Sequence, residues 1–293
     1  MGCNGCRHRR RAAPIDIAYG GCRYVDSCRL AAFFGLTERR AVRRCLMDIK
    51  RMKIGILVAG DLSQERKLRF GTLATMFETL LSSVEPELIY QDYDVFKDVF
   101  PTDPQECDGW LITGSYHSAY EDLPWMLRLQ AFIRETLDAN IPMIGICFGH
   151  QIMAQALGGR VEREASGKWG AAVNTYKLDG GAGEFPSWMS SDSTQISLQA
   201  SHQDQVTILP TNAKLLGGND FCPNGILSYG NTGFSMQLHP ELSSDFIRDV
   251  FETRRGDVMS EEETDLVLEK VDLPVDSPLA GRWMVDFFKL NQP

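Results

Sequence analysis

Residues 141–158 read Ile-Pro-Met-Ile-Gly-Ile-Cys-Phe-Gly-His-Gln-Ile-Met-Ala-Gln-Ala-Leu-Gly. An apolar run ends at Ile146, and Cys147 follows between Gly145 and Gly149. Behind it, Ile152, Met153, Ala156 and Leu157 repeat at helical spacing. Strand, tight turn bearing a reactive side chain, then helix is the layout of a nucleophile elbow, with Cys where the Gly-x-Ser-x-Gly version has Ser. The turn is strained, and a Cβ at either glycine would crowd it. The first N–H groups of the following helix point at the sulfur and favour its thiolate. The competing reading is a buried structural cysteine, because free cysteine is commonly a small core hydrophobe.

Outward from this stretch the chain alternates. Lys53–Ala59 is an apolar strand, and residues 68–82 carry helical periodicity. Strands at Glu87–Tyr93 and Asp108–Thr113 follow. Pro124 then suits the first position of a helix running to about Asp138. Strands and helices of these lengths predict a doubly wound, mostly parallel α/β sheet flanked by helices, with its site beyond the carboxyl ends of the strands. Gly114 and Cys147 both fall at such ends. After residue 158, six strand-like pieces between Gly159 and Leu238 predict an antiparallel extension of the same sheet. Helices are expected at about Ser243–Arg255, Thr264–Val271 and Pro278–Leu290, the last capped by Ser277.

The last of those strands, Phe234–Leu238, runs into His239-Pro240-Glu241. A thiol nucleophile needs a base and a group that orients the base. His239 and Glu241, two apart at a strand end, can present their side chains on one side of the backbone. Taken together, Gly145-Ile146-Cys147-Phe148-Gly149-His150-Gln151 and Leu238-His239-Pro240-Glu241 resemble the Gly-x-Cys-x-Gly-x-Gln and His-Pro-Glu signatures of the class I (triad) glutamine amidotransferases, over roughly residues 53–255.

The resemblance implies a flavodoxin-like fold and a Cys147-His239-Glu241 triad that hydrolyses the glutamine side-chain amide through a γ-glutamyl thioester. It implies an oxyanion hole of backbone N–H groups from Phe148 and from Gly114 or Ser115. This family usually has Gly-Gly-Pro-Gly where this chain has Gly114-Ser115-Tyr116-His117, a departure that still leaves the backbone donors. The same likeness implies that Gln151 contacts the substrate. Trp169, in Lys168-Trp169-Gly170, falls where the family lines its pocket and is expected either to pack over the ligand's aliphatic part or to be a plain hairpin aromatic. His202, in Ser201-His202-Gln203-Asp204-Gln205-Val206, resembles the family's His-x-Asp-x-Val support, with a second base as the alternative. His117 and His150 carry no motif of their own.

Bulk properties bound the rest. The 293 residues carry a net charge of −9, which argues against nucleic acid as partner. No run of 18 apolar residues points to a membrane span, and a cytoplasmic location is expected. Neither a core metal-ligand spacing nor a phosphate loop appears, so no cofactor or metal is expected. Residues 1–51 differ from the remainder: 12 Lys and Arg against four Asp and Glu, and five of the eight cysteines. An extension outside the fold, a small zinc site and a targeting segment all fit that composition. Residues 52–255 are expected to form the amidotransferase domain, and 256–293 an acidic linker and helices packed on it. The short run after Glu241 leaves ammonia to a separate synthetase partner, if one exists. The rival expectations are a stand-alone γ-glutamyl peptidase and a non-catalytic binding protein of the same fold.

Overall fold

The computed structural model describes residues 51–179, 185–189 and 193–292. The basic, cysteine-rich segment 1–50, with its three competing readings, lies outside the described residues.

Among the described residues, nine strands form the central sheet. β1 (Lys53–Leu57), β2 (Ile89–Tyr93), β3 (Gly109–Ile112), β4 (Met143–Ile146) and β11 (Gly233–Met236) run parallel in the order β2-β1-β3-β4-β11. Beyond β11 the sheet turns antiparallel through β10 (Ile226–Tyr229), β9 (Ala213–Gly218), β6 (Gly170–Leu178) and β7 (Gln195–His202). This is the mixed sheet expected from the sequence, with one correction. β5 (Arg160–Arg163) leaves the sheet and pairs with β8 (Asp204–Ile208), a strand not among the six expected pieces, as a separate antiparallel ribbon. The exposed charged residues of β5, buried only at Val161, fit a two-stranded ribbon better than a sheet interior.

The helices cover both faces. Alternation along the central strands sends Ile54, Ile56, Leu111, Ile144 and Ile146 to one side and Leu57, Trp110, Ile112 and Met143 to the other. On the first side pack α2 (Leu73–Val84) and α7 (Ser277–Leu290), which bury Phe77, Leu81, Trp283 and Phe287. On the second pack α3 (Pro124–Asp138) and α4 (Phe148–Ala156), through Trp125, Leu129, Phe132, Ile152 and Met153. A third apolar cluster forms around α5 (Ser244–Glu252), whose Phe246, Ile247, Val250 and Phe251 meet Leu62, Met76 and Ala172.

Several expected boundaries move for local reasons. The helix expected over 68–82 is two, α1 (Gln64–Phe70) and α2, because Gly71 takes φ +85° and Thr72 starts a new capping box with Thr75. The helix expected at about Thr264–Val271 begins three residues earlier, as α6 (Glu261–Leu268), nucleated by a capping box between Ser260 and Glu263. Asp276, not Ser277, is the N-cap of α7, and its carboxylate accepts from Ser197 N–H instead of capping. No helix among the described residues is long and apolar enough to cross a membrane.

Candidate active site

The parallel neighbours β4 and β11 bring the two motifs together. Register pairs Ile146 with Met236, and Cys147 N–H donates to Met236 O at 2.9 Å. Two residues beyond the level of Cys147, His239 N–H donates to Gln199 O of β7 at 2.8 Å, fixing the chain where it leaves the sheet.

Cys147 adopts φ 53° and ψ −103°, a conformation whose strain costs about 1–3 kcal/mol and is held by its surroundings. The flanking glycines are what make it sterically possible. A Cβ on Gly145 would sit 2.4 Å from Gly149 O, and one on Gly149 would sit 2.4 Å from Ile112 O. Strand β4, helix α4 and strand β3 therefore approach backbone to backbone only because both positions lack side chains. The N-terminus of α4 begins at Phe148, immediately behind the sulfur, with no side-chain cap from Cys147.

Gly114 closes the third side. A methyl there would lie 3.0 Å from His239 Cε1 and 3.9 Å from Cys147 Cβ, so the end of β3, the thiol and the imidazole meet. Thr113 Oγ1 accepts from Ala59 N–H and donates to Gly114 O, tying this loop to the end of β1. His239 Nδ1 lies 2.6 Å from Glu241 Oε1, with both side chains nearly sealed from solvent, at 8% and 1% exposure. Burial opposes a charged imidazole. The Glu241 carboxylate and the neighbouring Cys147 sulfur outweigh it and hold the His239 pKa well above the ordinary histidine value. With Nδ1 engaged by Glu241, Nε2 is the ring nitrogen left to take and return the thiol's proton. A thiol beside an imidazole held in this way can act as a nucleophile whose proton is taken up and later given back.

The remaining sequence candidates distribute around this centre. Gln151 is buried at the cavity, and its Nε2 donates to Asp204 O at 2.8 Å and to Gln237 Oε1 at 3.1 Å, so its amide hydrogens hold the wall. His202 also edges the cavity. Its Nδ1 meets Asp204 O at 3.1 Å, and its ring presses against Gly170, where a Cβ would come within 2.4 Å of Nε2. Burial first, and the His239 charge second, lower it to about 4 against the backbone bond to Asp204, so it is neutral near pH 7. Trp169 lines the cavity edge-on to Phe251 at 6.1 Å. Ser115 lies on the rim, its hydroxyl accepting from His117 N–H. His150, also on α4, bonds Ser235 Oγ at 2.8 Å in full burial and is pushed down to about 3, mainly by desolvation. His117 pairs with Glu121 on the exposed rim.

The sequence reading gave no role to Gln237, buried behind the thiol, or to Arg254 of the cavity wall. Gln237 donates to Cys147 Sγ at 3.5 Å; it stands two residues before His239, so strand alternation places it on the same side. Arg254 sits over Trp169 at 4.2 Å, and no local pattern near the end of α5 announces it.

The fold and this cluster define an α/β protein with a thiol elbow at the carboxyl edge of a parallel sheet, facing a His-Glu pair. The chain belongs to the glutamine amidotransferase class-I family, whose sequence model matches residues 82–249. It is 29% identical over 249 residues to a glutamine amidotransferase-like protein of Schizosaccharomyces pombe, a match covering 80% of this chain and 97% of that one. Over 192 residues it is 29% identical to γ-glutamyl peptidase 4 of Arabidopsis thaliana, covering 65% of this chain and 76% of that one. A glutamine amidotransferase structure from Thermotoga maritima covers 82% of this chain and 99% of its own, with TM-score 0.65 and 18% identity, a likeness of fold.

Proposed function

We propose that this protein hydrolyses γ-glutamyl amides with Cys147 as nucleophile, His239 as acid and base, and Glu241 as the residue that positions and charges the imidazole. The observation that carries the reading is the sealed 2.6 Å contact between His239 and Glu241 beside a strained cysteine at a helix N-terminus. The sulfur attacks the side-chain carbonyl, and a carbon–sulfur bond forms as charge collects on the oxygen. Backbone N–H groups of Phe148 and of Gly114 or Ser115 are the donors placed for that charge. Collapse of the adduct breaks the carbon–nitrogen bond, and the amine leaves with a proton from His239. Water, deprotonated by His239, then cleaves the γ-glutamyl thioester to glutamate and restores the thiol. Gln151 and Gln237 brace the cavity beneath the sulfur, while Trp169 and His202 shape its sides.

Two leaving groups fit the chemistry. With ammonia the substrate is glutamine, and a separate ammonia-accepting synthetase is the partner to seek. With an amino acid or peptide the protein is a γ-glutamyl peptidase, a reading favoured by the relative of that name. The test is glutamate release from glutamine, γ-glutamyl dipeptides and glutathione by the wild type and by Cys147→Ser. The expected result is release from at least one substrate and a loss of about a thousandfold or more in the variant, since a hydroxyl has no accessible anion near pH 7. Equal rates in the two proteins would refute the thiol mechanism.

A further inference from the structure

Beyond the reacting groups, the cavity has two unlike halves. One is polar and carries both signs: Arg163 bonded to Gln203, and Asp204 bonded to Tyr120 Oη. The other is walled by Leu62, Leu73, Leu242, Phe246 and Val250, all part of the apolar cluster around α5. Arg254 enters the cavity on this second side.

Its setting is unlike that of neighbouring arginines. Arg66 and Arg69 share the carboxylate of Asp249, and Arg255 pairs with Glu252 and Asp265. Arg254 has no carboxylate in ion-pair contact among the described residues. Its guanidinium lies over the rings of Trp169 and Phe251, at 4.2 and 5.0 Å, and among the described residues gives one hydrogen bond, from Nη1 to Ser201 Oγ at 3.1 Å. Burial chiefly, with the Arg66 charge adding to it, pulls its pKa below the ordinary arginine value, while Tyr116 and Cys147 pull the other way. A guanidinium keeps its charge in such a place, and its fork suits a carboxylate. Half-burying it without an anion carries a cost, and the two aromatic faces offset only part of that.

We propose that Arg254 binds the free carboxylate of the leaving group, and that the apolar wall beside it receives that group's side chain. The preferred substrates are then γ-glutamyl peptides whose next residue is apolar and ends in a carboxylate, in preference to glutamine. The inference rests on the γ-glutamyl amide reading above and narrows it. The zwitterionic glutamyl head matches the half that holds both Arg163 and Asp204. Ammonia as the leaving group would give neither the wall nor Arg254 anything to hold. The chemistry is unchanged: the amine departs with the proton of His239, water supplies the hydroxyl of glutamate, and Arg254 exchanges no proton.

The experiment compares γ-glutamyl-leucine, its leucinamide and glutamine as substrates of the wild type, Arg254→Ala and Arg254→Lys. In the wild type, kcat/KM for the acid is expected to exceed that for the amide by about 10- to 100-fold, the range for a hydrogen bond between charged groups, mostly through KM. Arg254→Ala is expected to bring the acid-to-amide ratio close to one, and Arg254→Lys to restore part of it. A merely structural arginine would lower both substrates together and leave the ratio standing, which overturns the proposal. Equal kcat/KM for acid and amide in the wild type does the same. So does a loss on glutamine as large as that on the acid, which would assign the arginine to the α-carboxylate. If the wild type releases glutamate from none of the three, the amide-hydrolase reading itself fails and takes this inference with it.

Discussion

Replacing Glu241 by Gln isolates what the third residue does. The Glu241 side chain is 1% exposed, with Oε1 on His239 Nδ1 and Oε2 buried without a hydrogen-bond partner among the described residues. Glutamine can therefore keep its oxygen on Nδ1 and turn its NH₂ into the unpartnered position, so the tautomer survives and the charge is lost. A hydrogen bond to a charged group contributes about 1.5–3 kcal/mol and a neutral one about 0.5–1.5. With the carboxylate's field on the imidazolium also gone, we expect about 1.4–2.8 kcal/mol of transition-state stabilisation to disappear. That corresponds to a fall of about 10- to 100-fold, carried by kcat because Glu241 does not touch substrate. The pH profile adds a second readout. The carboxylate raises the His239 pKa, so its removal must shift the alkaline limb of kcat/KM to lower pH. Steady-state kinetics across pH, with His239→Ala as the reference for complete loss, measure both. A variant within twofold of wild type, or an alkaline limb that stays in place, would refute the assignment of Glu241.

Two further outcomes test the scaffold. Gly149→Ala would drive a methyl to within 2.4 Å of Ile112 O, a backbone atom that cannot step aside cheaply. It should cost about 1–3 kcal/mol or more in urea unfolding together with most activity, and wild-type stability would contradict the steric account. Acid stability should follow the buried histidines. His150, lowered to about 3, and His202, lowered to about 4, stay neutral in the fold while their unfolded counterparts titrate near 6.5. The unfolded chain then binds more protons as pH falls, so the stability present above pH 6.5 is lost on the way down, by about 1.5–2 kcal/mol per histidine between 6.5 and 5. His239 opposes this only in small part: its raised pKa gives stabilisation complete below about 6.5 and lost progressively as pH rises from there to its folded value, so one histidine's partial gain does not cancel the loss from two. Urea midpoints at pH 7 and pH 5 measure the difference, and a flat profile would contradict it.

What was legible in the sequence is what steric necessity writes locally. Gly145 and Gly149 had to be glycine for the elbow to close, so their spacing announced both the turn and the residue at its tip. Strand alternation tied His239 to Glu241, and their 2.6 Å contact follows from it. Gln237 obeys the same alternation and was legible too, though glutamine carries no chemistry that singles it out. The departure of β5 from the main sheet to pair with β8 was not legible, because a short strand looks the same wherever its partner lies. Arg254 is the clearest case of information absent from the chain. Its position over Trp169 joins residues far apart in sequence, and only the packing of α5 against the start of β6 makes it a cavity residue.

The central claim is a γ-glutamyl thioester on Cys147, and the most direct measurement is how that intermediate divides between two nucleophiles. Several γ-glutamyl amides with different leaving groups are turned over in the presence of hydroxylamine, and γ-glutamyl hydroxamate and glutamate are quantified together. A shared thioester predicts one hydroxamate-to-glutamate ratio for every substrate, because the leaving group has gone before the nucleophiles compete. A ratio that changes with the leaving group, or turnover that yields no hydroxamate and persists in Cys147→Ser, would contradict a common acyl-enzyme at that residue.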